Sequence, residues 1–352
     1  MTQIRLGKTE IVTNKNGFGA LPIQRISFED ADALIMHAYE NGITFFDTAR
    51  FYTDSEKKLG KSLCARGLRD KVYIASKTMC TNTEQFWSQL ETSLADLQTD
   101  YLDLYQFHNP AFCPKPCDGT GLYEAMLEAK AQGKIRHIGI TNHRLSVAEE
   151  AIESGLYETL QFPFSYLASD EEIALAEKCR KADMGFIAMK GMSGGLIKRA
   201  DAAYAFMSRF ENVLPIWGVQ KMEELKQFLA CEKNPPVMNQ EMKTFIETER
   251  RELSGEFCRG CGYCMPCPVG IKINDCARMS LMIRRASIDI YMDEAHQAEM
   301  EAIEKCLHCG QCAAKCPYGL DTPKLLEKNL KDYRQQLSEL GNNRIRIQIT
   351  IG

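Results

Sequence analysis

The stretch VYIASKTMCTNTEQFWSQLETSLADLQTDYLDLYQFH, residues 72–108, contains the pattern that decides the fold of this chain. It begins with a short apolar run, continues through an amphipathic segment, and ends in a second apolar run. Short apolar runs predict buried strands, and apolar residues three or four positions apart predict a helix. Because a helix joins the two strands, the stretch predicts a parallel βαβ unit.

The same alternation continues on both sides of this unit. Residues 16–21, followed by a helical pattern at 28–42, supply the first unit. Further apolar runs lie at 43–48, 135–142, 159–165, 185–191 and 213–219. Eight alternations predict a (β/α)8 TIM barrel in the α/β class. An open doubly wound sheet is the alternative, but no Gly-x-Gly-x-x-Gly follows the first strand, which disfavours a Rossmann fold. Residues 4–12 predict a small hairpin at the bottom of the barrel.

Composition limits the classes of function. The chain has 352 residues, of which 45% are hydrophobic and 26% charged, with a net charge of −4. These values are ordinary for a globular protein, and no basic run predicts binding to nucleic acid or to an anionic membrane. The first ten residues lack the apolar core of a signal peptide, and no stretch has the roughly 20 apolar residues of a membrane span. The expected location is the cytoplasm.

Ionisable residues follow three consecutive predicted strands. Asp47, Lys77 and His108 end the second, third and fourth strands, and Tyr52 lies five residues after Asp47. In a TIM barrel the strand ends and the loops after them form the active site. Each residue alone has an ordinary structural explanation, such as a helix cap for Asp47. Four different chemistries on adjacent strand ends favour a joint catalytic role.

The four side chains suit reduction of a carbonyl group. A free tyrosine has a pKa near 10, so it is a weak acid unless a nearby cation stabilises its phenolate. Lys77 can supply that cation, and Asp47 can hold the lysine in place. His108 can orient a carbonyl oxygen by a hydrogen bond. Together they can protonate an oxyanion as hydride reaches the carbonyl carbon.

The motifs DTARFY at 47–52, SK at 76–77 and FH at 107–108 resemble the active site of the aldo-keto reductase family. The resemblance covers about residues 1–230. It implies Tyr52 as the general acid, Lys77 and Asp47 as the groups that tune it, and His108 as the residue that orients the substrate. The family's hydride donor is a nicotinamide, usually NADPH.

The resemblance also implies a set of cofactor-binding positions at the strand ends. Thr141, Asn142 and Gln161 match positions that hold the nicotinamide amide, and Gly19 permits close approach of the backbone. Met189 stands where the family often has an aromatic residue, and only Lys221 can replace the usual basic residue for a 2′-phosphate. NADP, NAD and flavin therefore all remain open. The predicted cofactor-binding residues are Gly19, Thr141, Asn142, Gln161, Met189, Lys190, Gly218 and Lys221.

Two cysteine runs follow the barrel sequence. The second has the bacterial ferredoxin spacing C-x2-C-x2-C-x3-C-P, and the first is one residue shorter before its last cysteine. Eight thiolates suffice for two [4Fe–4S] clusters; zinc is the alternative, although its sites more often use separated pairs. We expect crossed ligation, in which the last cysteine of each run binds the other cluster. The predicted sets are Cys258, Cys261, Cys264 and Cys316 for one cluster, and Cys306, Cys309, Cys312 and Cys267 for the other.

Composition also predicts where the domains divide. The Pro-Pro pair at 235–236 marks the expected boundary, with a barrel at 1–235 and a linker, helical cluster domain and C-terminal helix at 236–352. The segment between the runs predicts helices and resembles the dicluster module of succinate dehydrogenase and fumarate reductase. An aldo-keto reductase with such a ferredoxin-like domain is itself a recognised subgroup.

The remaining cysteines carry weaker signals. Cys113 and Cys117 follow His108 on a loop expected above the active site, and Cys80 follows Lys77. A redox pair or a metal site is the alternative to ordinary loop thiols. The other four, Cys64, Cys179, Cys231 and Cys276, are expected to be packing residues.

The leading hypothesis is an oxidoreductase that acts on a small carbonyl compound at Tyr52. Hydride carries two electrons and a cluster passes one, so the clusters are expected to connect the site with a ferredoxin or flavoprotein. A redox-sensing or binding subunit without turnover is the second hypothesis. Clusters with a purely structural role are the third.

Overall fold

The computed structural model describes residues 3–253, 257–285 and 291–351. It divides into two compact units, the first formed by Met1–Met192 with Arg199–Arg250 and the second by Ser193–Lys198 with Arg251–Gly352. The short segment 193–198 comes from the loop after a barrel strand, yet it belongs to the second unit. The domain boundary at 235/236 stays a prediction.

The first unit is a closed barrel of eight parallel strands in the order β10-β3-β4-β5-β6-β7-β8-β9, which confirms the predicted TIM barrel. Consecutive strands pair in register, for example Asp47 with Ala75 and Lys77 with Gln106. The barrel strands are β3 (Gly17–Gly19), β4 (Phe45–Asp47), β5 (Tyr73–Thr78), β6 (Leu102–His108), β7 (Ile135–Thr141), β8 (Thr159–Pro163), β9 (Gly185–Met189) and β10 (Val213–Gly218).

A short antiparallel hairpin precedes the barrel, as the sequence predicts. Strands β1 (Gln3–Arg5) and β2 (Val12–Asn14) pair with each other. Ile4, Leu6 and Ile11 of this segment are buried in one cluster with inward side chains of the barrel strands. The hairpin therefore closes one end of the barrel core.

The helices of the first unit bury one face against the strands. In α1 the buried residues Ala31, Leu34, Ile35 and Ala38 follow helical spacing, and the Ser27 hydroxyl caps the helix by accepting from the Asp30 N–H. The helices are α1 (Phe28–Glu40), α2 (Ser55–Ser62), α3 (Thr83–Leu97), α4 (Leu122–Ala131), α5 (Leu145–Ser154), α6 (Asp170–Lys181), α7 (Ala200–Ser208), α8 (Met222–Lys233) and α9 (Gln240–Glu252).

Helix α9 lies beyond the predicted boundary but packs on the barrel unit. The Tyr166 hydroxyl and a Glu249 carboxylate oxygen are 3.1 Å apart, and Arg250 donates to the Tyr166 carbonyl. The compact barrel unit therefore extends to Arg250, near the end of this helix.

The second unit is helical, as the sequence predicts. Its apolar core includes Ile271, Ile283, Met300 and Tyr333, with several cysteines packed against it. Residues 254–256 and 286–290 of the predicted helical segments lie outside the described residues. The helices are α10 (Ile273–Cys276), α11 (Met279–Arg285), α12 (Glu294–Glu301), α13 (Gln311–Ala314) and α14 (Thr322–Ile351). Across the described residues, every helix is too short or too polar to cross a bilayer.

Candidate active site and cysteine cavities

The alternation of side chains along each strand builds the candidate active site. Phe45, Ala75 and Leu104 belong to the buried core of the barrel. Two positions further along the same strands stand Asp47, Lys77 and Gln106, and His108 follows Gln106 by two. Because side chains two apart in a strand share a face, the polar groups lie on the barrel's inner side, above its apolar filling.

A buried ion pair forms the base of the site. Asp47 and Lys77 are each 1% exposed, and the Lys77 ammonium contacts both carboxylate oxygens of Asp47. The ammonium also donates to the Thr48 carbonyl at 2.6 Å. Burial raises the pKa of Asp47 and lowers the pKa of Lys77, while their mutual attraction opposes both shifts. The pair holds a cation at a fixed place in a water-poor environment.

Tyr52 and His108 lie against this cation. The Lys77 Nζ is 5.1 Å from the centroid of the Tyr52 ring, and the Tyr52 and His108 rings are 5.7 Å apart, edge to face. Tyr52 stands on the loop between β4 and α2, where its N–H donates to the Ala49 carbonyl at 3.0 Å. The structure therefore brings together all four residues that the sequence singled out.

His108 is 7% exposed. Burial first, and the Lys77 charge second, lower the pKa of His108 to about 3. The imidazole is therefore neutral at physiological pH and has one N–H to donate.

Gln106 is a site residue that the sequence reasoning missed. Its Nε2 donates to the Gln161 Oε1 at 2.9 Å, and the Gln161 Nε2 donates to an Asp47 oxygen at 3.2 Å. This chain of amides connects β6, β8 and β4 inside the barrel. Its signal was available, since Gln106 precedes His108 by two residues and so shares its face of β6. Phe51, with its ring 6.4 Å from that of His108, was also missed.

The predicted cofactor positions lie at the same end of the barrel. Gly19, Thr141, Met189 and Gly218 are the last residues of their strands, and Lys190 follows Met189 directly. The Thr141 hydroxyl lies 3.9 Å from the Met189 sulfur. Lys221 is exposed and stands immediately before α8.

Asn142 and Gln161 already make hydrogen bonds within the protein. The Asn142 Nδ2 donates to the Pro110 carbonyl at 2.8 Å, and its Oδ1 accepts from the His143 and Arg144 N–H groups at 2.9 and 2.8 Å. An amide nitrogen has two hydrogens. Among the described residues, these bonds and the one from the Gln161 Nε2 to Asp47 use one N–H of each amide, which leaves a second N–H on each.

The cysteines near the site differ in exposure. Cys113 is buried and Cys117 exposed. Cys113 lies beside Tyr157 and Ser154, and burial raises its pKa to about 11. Burial also raises the pKa of Cys80. These shifts make Cys80 and Cys113 weak nucleophiles, which agrees with their being ordinary thiols.

The second unit contains two cavities lined by cysteines. One is lined by Cys258, Cys261, Cys264 and Cys316. The other is lined by Cys267, Cys306, Cys309 and Cys312, with Cys264 also at its wall. The last cysteine of each run thus faces the cavity of the other run, which is the arrangement that crossed ligation requires.

The donor set in these cavities fits iron–sulfur clusters. Within the described ranges, no three histidine, cysteine or acidic side chains converge closely enough to hold a single metal ion. Each crossed set instead places four cysteines at one cavity, which is the number and type of ligand that one [4Fe–4S] cluster takes. Gly260 and Gly262 have φ angles of +64° and +80°, which residues with a Cβ rarely adopt. Glycine therefore suits the tight turns between these cysteines.

Comparison with known proteins agrees with both units. Residues 15–210 match the model of the Aldo/keto reductase family, and residues 257–321 match that of the 4Fe-4S dicluster domain. The chain is 34% identical to L-galactose dehydrogenase of Arabidopsis thaliana over 164 residues, 42% of this chain and 51% of that protein. It is 32% identical to methylglyoxal reductase DkgA of Yersinia pestis over 142 residues, 40% of this chain and 50% of that protein.

The chain spans about half the length of these curated relatives. Among solved structures, an aldo-keto reductase from Klebsiella pneumoniae in complex with NADPH superposes with a TM-score of 0.59 at 24% identity. The superposition covers 70% of this chain and 95% of that one, which shows a shared fold.

Proposed function

Because the chain belongs to the aldo/keto reductase family, we propose that it is an oxidoreductase acting on a small carbonyl compound, with Tyr52 as general acid. The eight cysteines of the second unit would hold two [4Fe–4S] clusters, and bound clusters would supply one-electron exchange with a nicotinamide or an external carrier. The observation that carries the proposal is the position of the Tyr52 ring, 5.1 Å from the Lys77 ammonium and 5.7 Å from the His108 ring.

Tyr52 donates its phenolic proton to the carbonyl oxygen of the substrate. The neighbouring ammonium of Lys77 favours the phenolate that remains, since an opposite charge nearby stabilises the ionised form. Both carboxylate oxygens of Asp47 accept from that ammonium and hold it in place. A positioned general acid contributes on the order of 10²–10⁴-fold to a rate.

His108 orients the carbonyl group. With a pKa of about 3 it stays neutral, so it donates a hydrogen bond and does not compete with Tyr52 as an acid. Its edge-to-face packing with Tyr52 fixes the ring that carries the proton. Both donors then face the same oxygen.

The strand ends beyond these residues suit a nicotinamide cofactor, which supplies the hydride when bound. The second N–H groups of Asn142 and Gln161 can hold its carboxamide, and Met189 can pack on a ring face. The Klebsiella relative binds NADPH. We propose NADP(H) for this chain on that likeness, with Lys221 as the basic residue near the 2′-phosphate.

The eight cysteines would hold the clusters in the two crossed sets. A bound cluster passes one electron at a time. This pairing is supported by the two cavities and their linings. The partner is a ferredoxin or flavoprotein. The substrate class is a small carbonyl or sugar-like compound, in keeping with the names of the relatives.

Composition of the purified protein tests the cofactors. The full chain is purified without oxygen and analysed for iron, sulfide, flavin and nicotinamide. We expect equal iron and sulfide for two clusters, bound NADP(H), and no flavin. Zinc without iron would contradict the cluster assignment, and a fluorescent flavin released by heat would contradict the nicotinamide assignment.

A carbonyl panel tests the chemistry. Tyr52→Phe is assayed beside Tyr101→Phe. Tyr101 immediately precedes the first residue of β6, whereas His108 of the candidate site is the last residue of that strand. With methylglyoxal and aldose substrates we expect kcat to fall about 10²–10⁴-fold for Tyr52→Phe and to stay unchanged for Tyr101→Phe. Equal rates for wild type and Tyr52→Phe would instead favour a sensing or binding subunit.

A further inference from the structure

Arg278 is a buried cation in the second unit that the proposed function does not use. Its side chain is 7% exposed and lies between α10 and α11. Its Nη2 donates to the Gly194 carbonyl at 2.6 Å and lies 3.2 Å from the Met282 sulfur. Its Nε has no acceptor among the described residues.

No carboxylate neutralises this cation at close range. Within the part of the chain that the structure describes, Arg278 forms no ion pair, and Asp275 acts on it only through space. Buried charges in proteins are normally paired, because an unpaired charge loses its hydration without compensation. Burial lowers the pKa of Arg278, but a guanidinium stays protonated in proteins. The position therefore calls for an anion.

The guanidinium lies directly behind the first cysteine run. A Cβ built on Gly260 would come within 2.2 Å of Arg278 Nη1, and one on Gly194 within 2.8 Å. Gly260 stands between Cys258 and Cys261, and its N–H donates to the Cys258 sulfur at 3.4 Å. Two glycines, with φ of +64° and +63°, make room for this cation.

The two cavities differ in charge. Among the residues that the structure describes, the lining of the cavity of Cys267, Cys306, Cys309 and Cys312 includes no lysine, arginine, aspartate or glutamate. The cavity of Cys258 includes Arg259, whose guanidinium stacks 4.6 Å from the Tyr318 ring. Because Arg278 also lies behind the loop of Cys258 and Cys261, the cavity of Cys258 is the more positive of the two.

We propose that Arg278 is a positioning residue that raises the reduction potential of the cluster held by Cys258, Cys261, Cys264 and Cys316 above that of the other cluster. A cluster with four thiolates is anionic, and one added electron makes it more so. A fixed cation in a medium of low dielectric constant therefore favours its reduced state. The inference rests on the proposed two-cluster content.

Redox titration of the anaerobic full-length protein, followed by electron paramagnetic resonance, tests this order. We expect Arg278→Gln to lower the higher reduction potential by at least about 59 mV, which is a tenfold change in the one-electron equilibrium constant. The equilibrium constant of the other cluster should change less than twofold. Arg284→Gln is the matched control, because Arg284 lies on α11 but is 51% exposed and paired with Asp332. It should move neither potential.

A second pair of variants leaves Arg278 in place. Met282→Glu brings a carboxylate to the guanidinium, whereas Met282→Gln brings a neutral group of the same size. We expect only Met282→Glu to lower the higher potential. This pair decides the question if Arg278→Gln does not assemble its clusters.

Iron and sulfide content distinguishes failure of the role of Arg278 from failure of the cluster assignment. Intact clusters with unmoved potentials, an equal shift of both, or a shift of the lower one alone would overturn the role of Arg278 and leave the proposed function standing. Absence of iron from the wild-type protein would overturn the cluster assignment, and this inference with it.

Discussion

The barrel site and the cysteine cavities are built by different means. Asp47 and Lys77 are almost fully buried, and each is fixed by a strand of a closed sheet. Six of the eight cysteines are half-buried and lie on loops, and the buried Cys312 lies on the one-turn helix α13, beside a small apolar core. The barrel therefore fixes its site through paired strands, whereas the cysteine unit has the features of domains that depend on metal for stability.

Removal of the clusters should have the largest effect, and it should affect the two units differently. Chelation of iron under reducing conditions should unfold the second unit and leave the barrel folded, because metal binding supplies much of the folding free energy of small metal domains. Limited proteolysis should then cleave within 251–352 while a barrel fragment survives. Equal resistance before and after chelation would show that the cysteine unit is stable by its own core.

Crossed ligation sharpens the description of the cysteine unit. Cys316→Ala should lose about half the iron and remove the same spectroscopic signal as Cys258→Ala, although the two residues are in different runs. Cys276→Ala is the control, because Cys276 is buried in the same unit but lines neither cavity. If Cys316→Ala instead removed the signal of the cluster assigned to Cys306, the crossed pairing would be wrong. Iron analysis and paramagnetic resonance measure both.

The buried pair tests how far the barrel fixes its own site. Lys77→Met leaves the Asp47 carboxylate buried without its partner, which should lower the free energy of unfolding by about 3–5 kcal/mol. The double variant Asp47→Asn/Lys77→Met should recover much of that loss. Lys57→Met, at a lysine whose side chain is 58% exposed, should cost less than about 0.5 kcal/mol. Denaturant titration of each variant checks these values.

The smallest expected effect is on the pH dependence of the free energy of unfolding. His108 has a pKa of about 3 in the folded protein and about 6.5 when unfolded, so only the unfolded state takes up its proton near pH 5. Its contribution to the free energy of unfolding is full above pH 6.5 and falls as pH decreases, by about 2 kcal/mol between pH 7 and 5. The stability of His108→Gln should lack this component. Parallel pH profiles for both proteins would contradict a neutral buried His108.

Much of this arrangement could be predicted from local patterns. The strand periodicity placed Asp47, Lys77 and His108 at adjacent strand ends, and cysteine spacing gave two sets of four. The amide chain through Gln106 was not predicted, because the spacing of Gln106 from His108 gives its face of the strand but not its hydrogen-bond partner. Its role depends on Gln161, which is 55 residues away in sequence.

By itself, the sequence determined the barrel, the four candidate catalytic residues and the number of thiolates, because each depends on residues close together in the chain or on a repeated period. The crossed cysteine sets were also predicted from the spacing of the two runs. What required the folded chain was that 193–198 belongs to the second unit and that Arg278 is buried beside Gly260. These features depend on contacts between distant segments. Burial, which converts an ordinary arginine into a fixed charge, has no signature in local sequence.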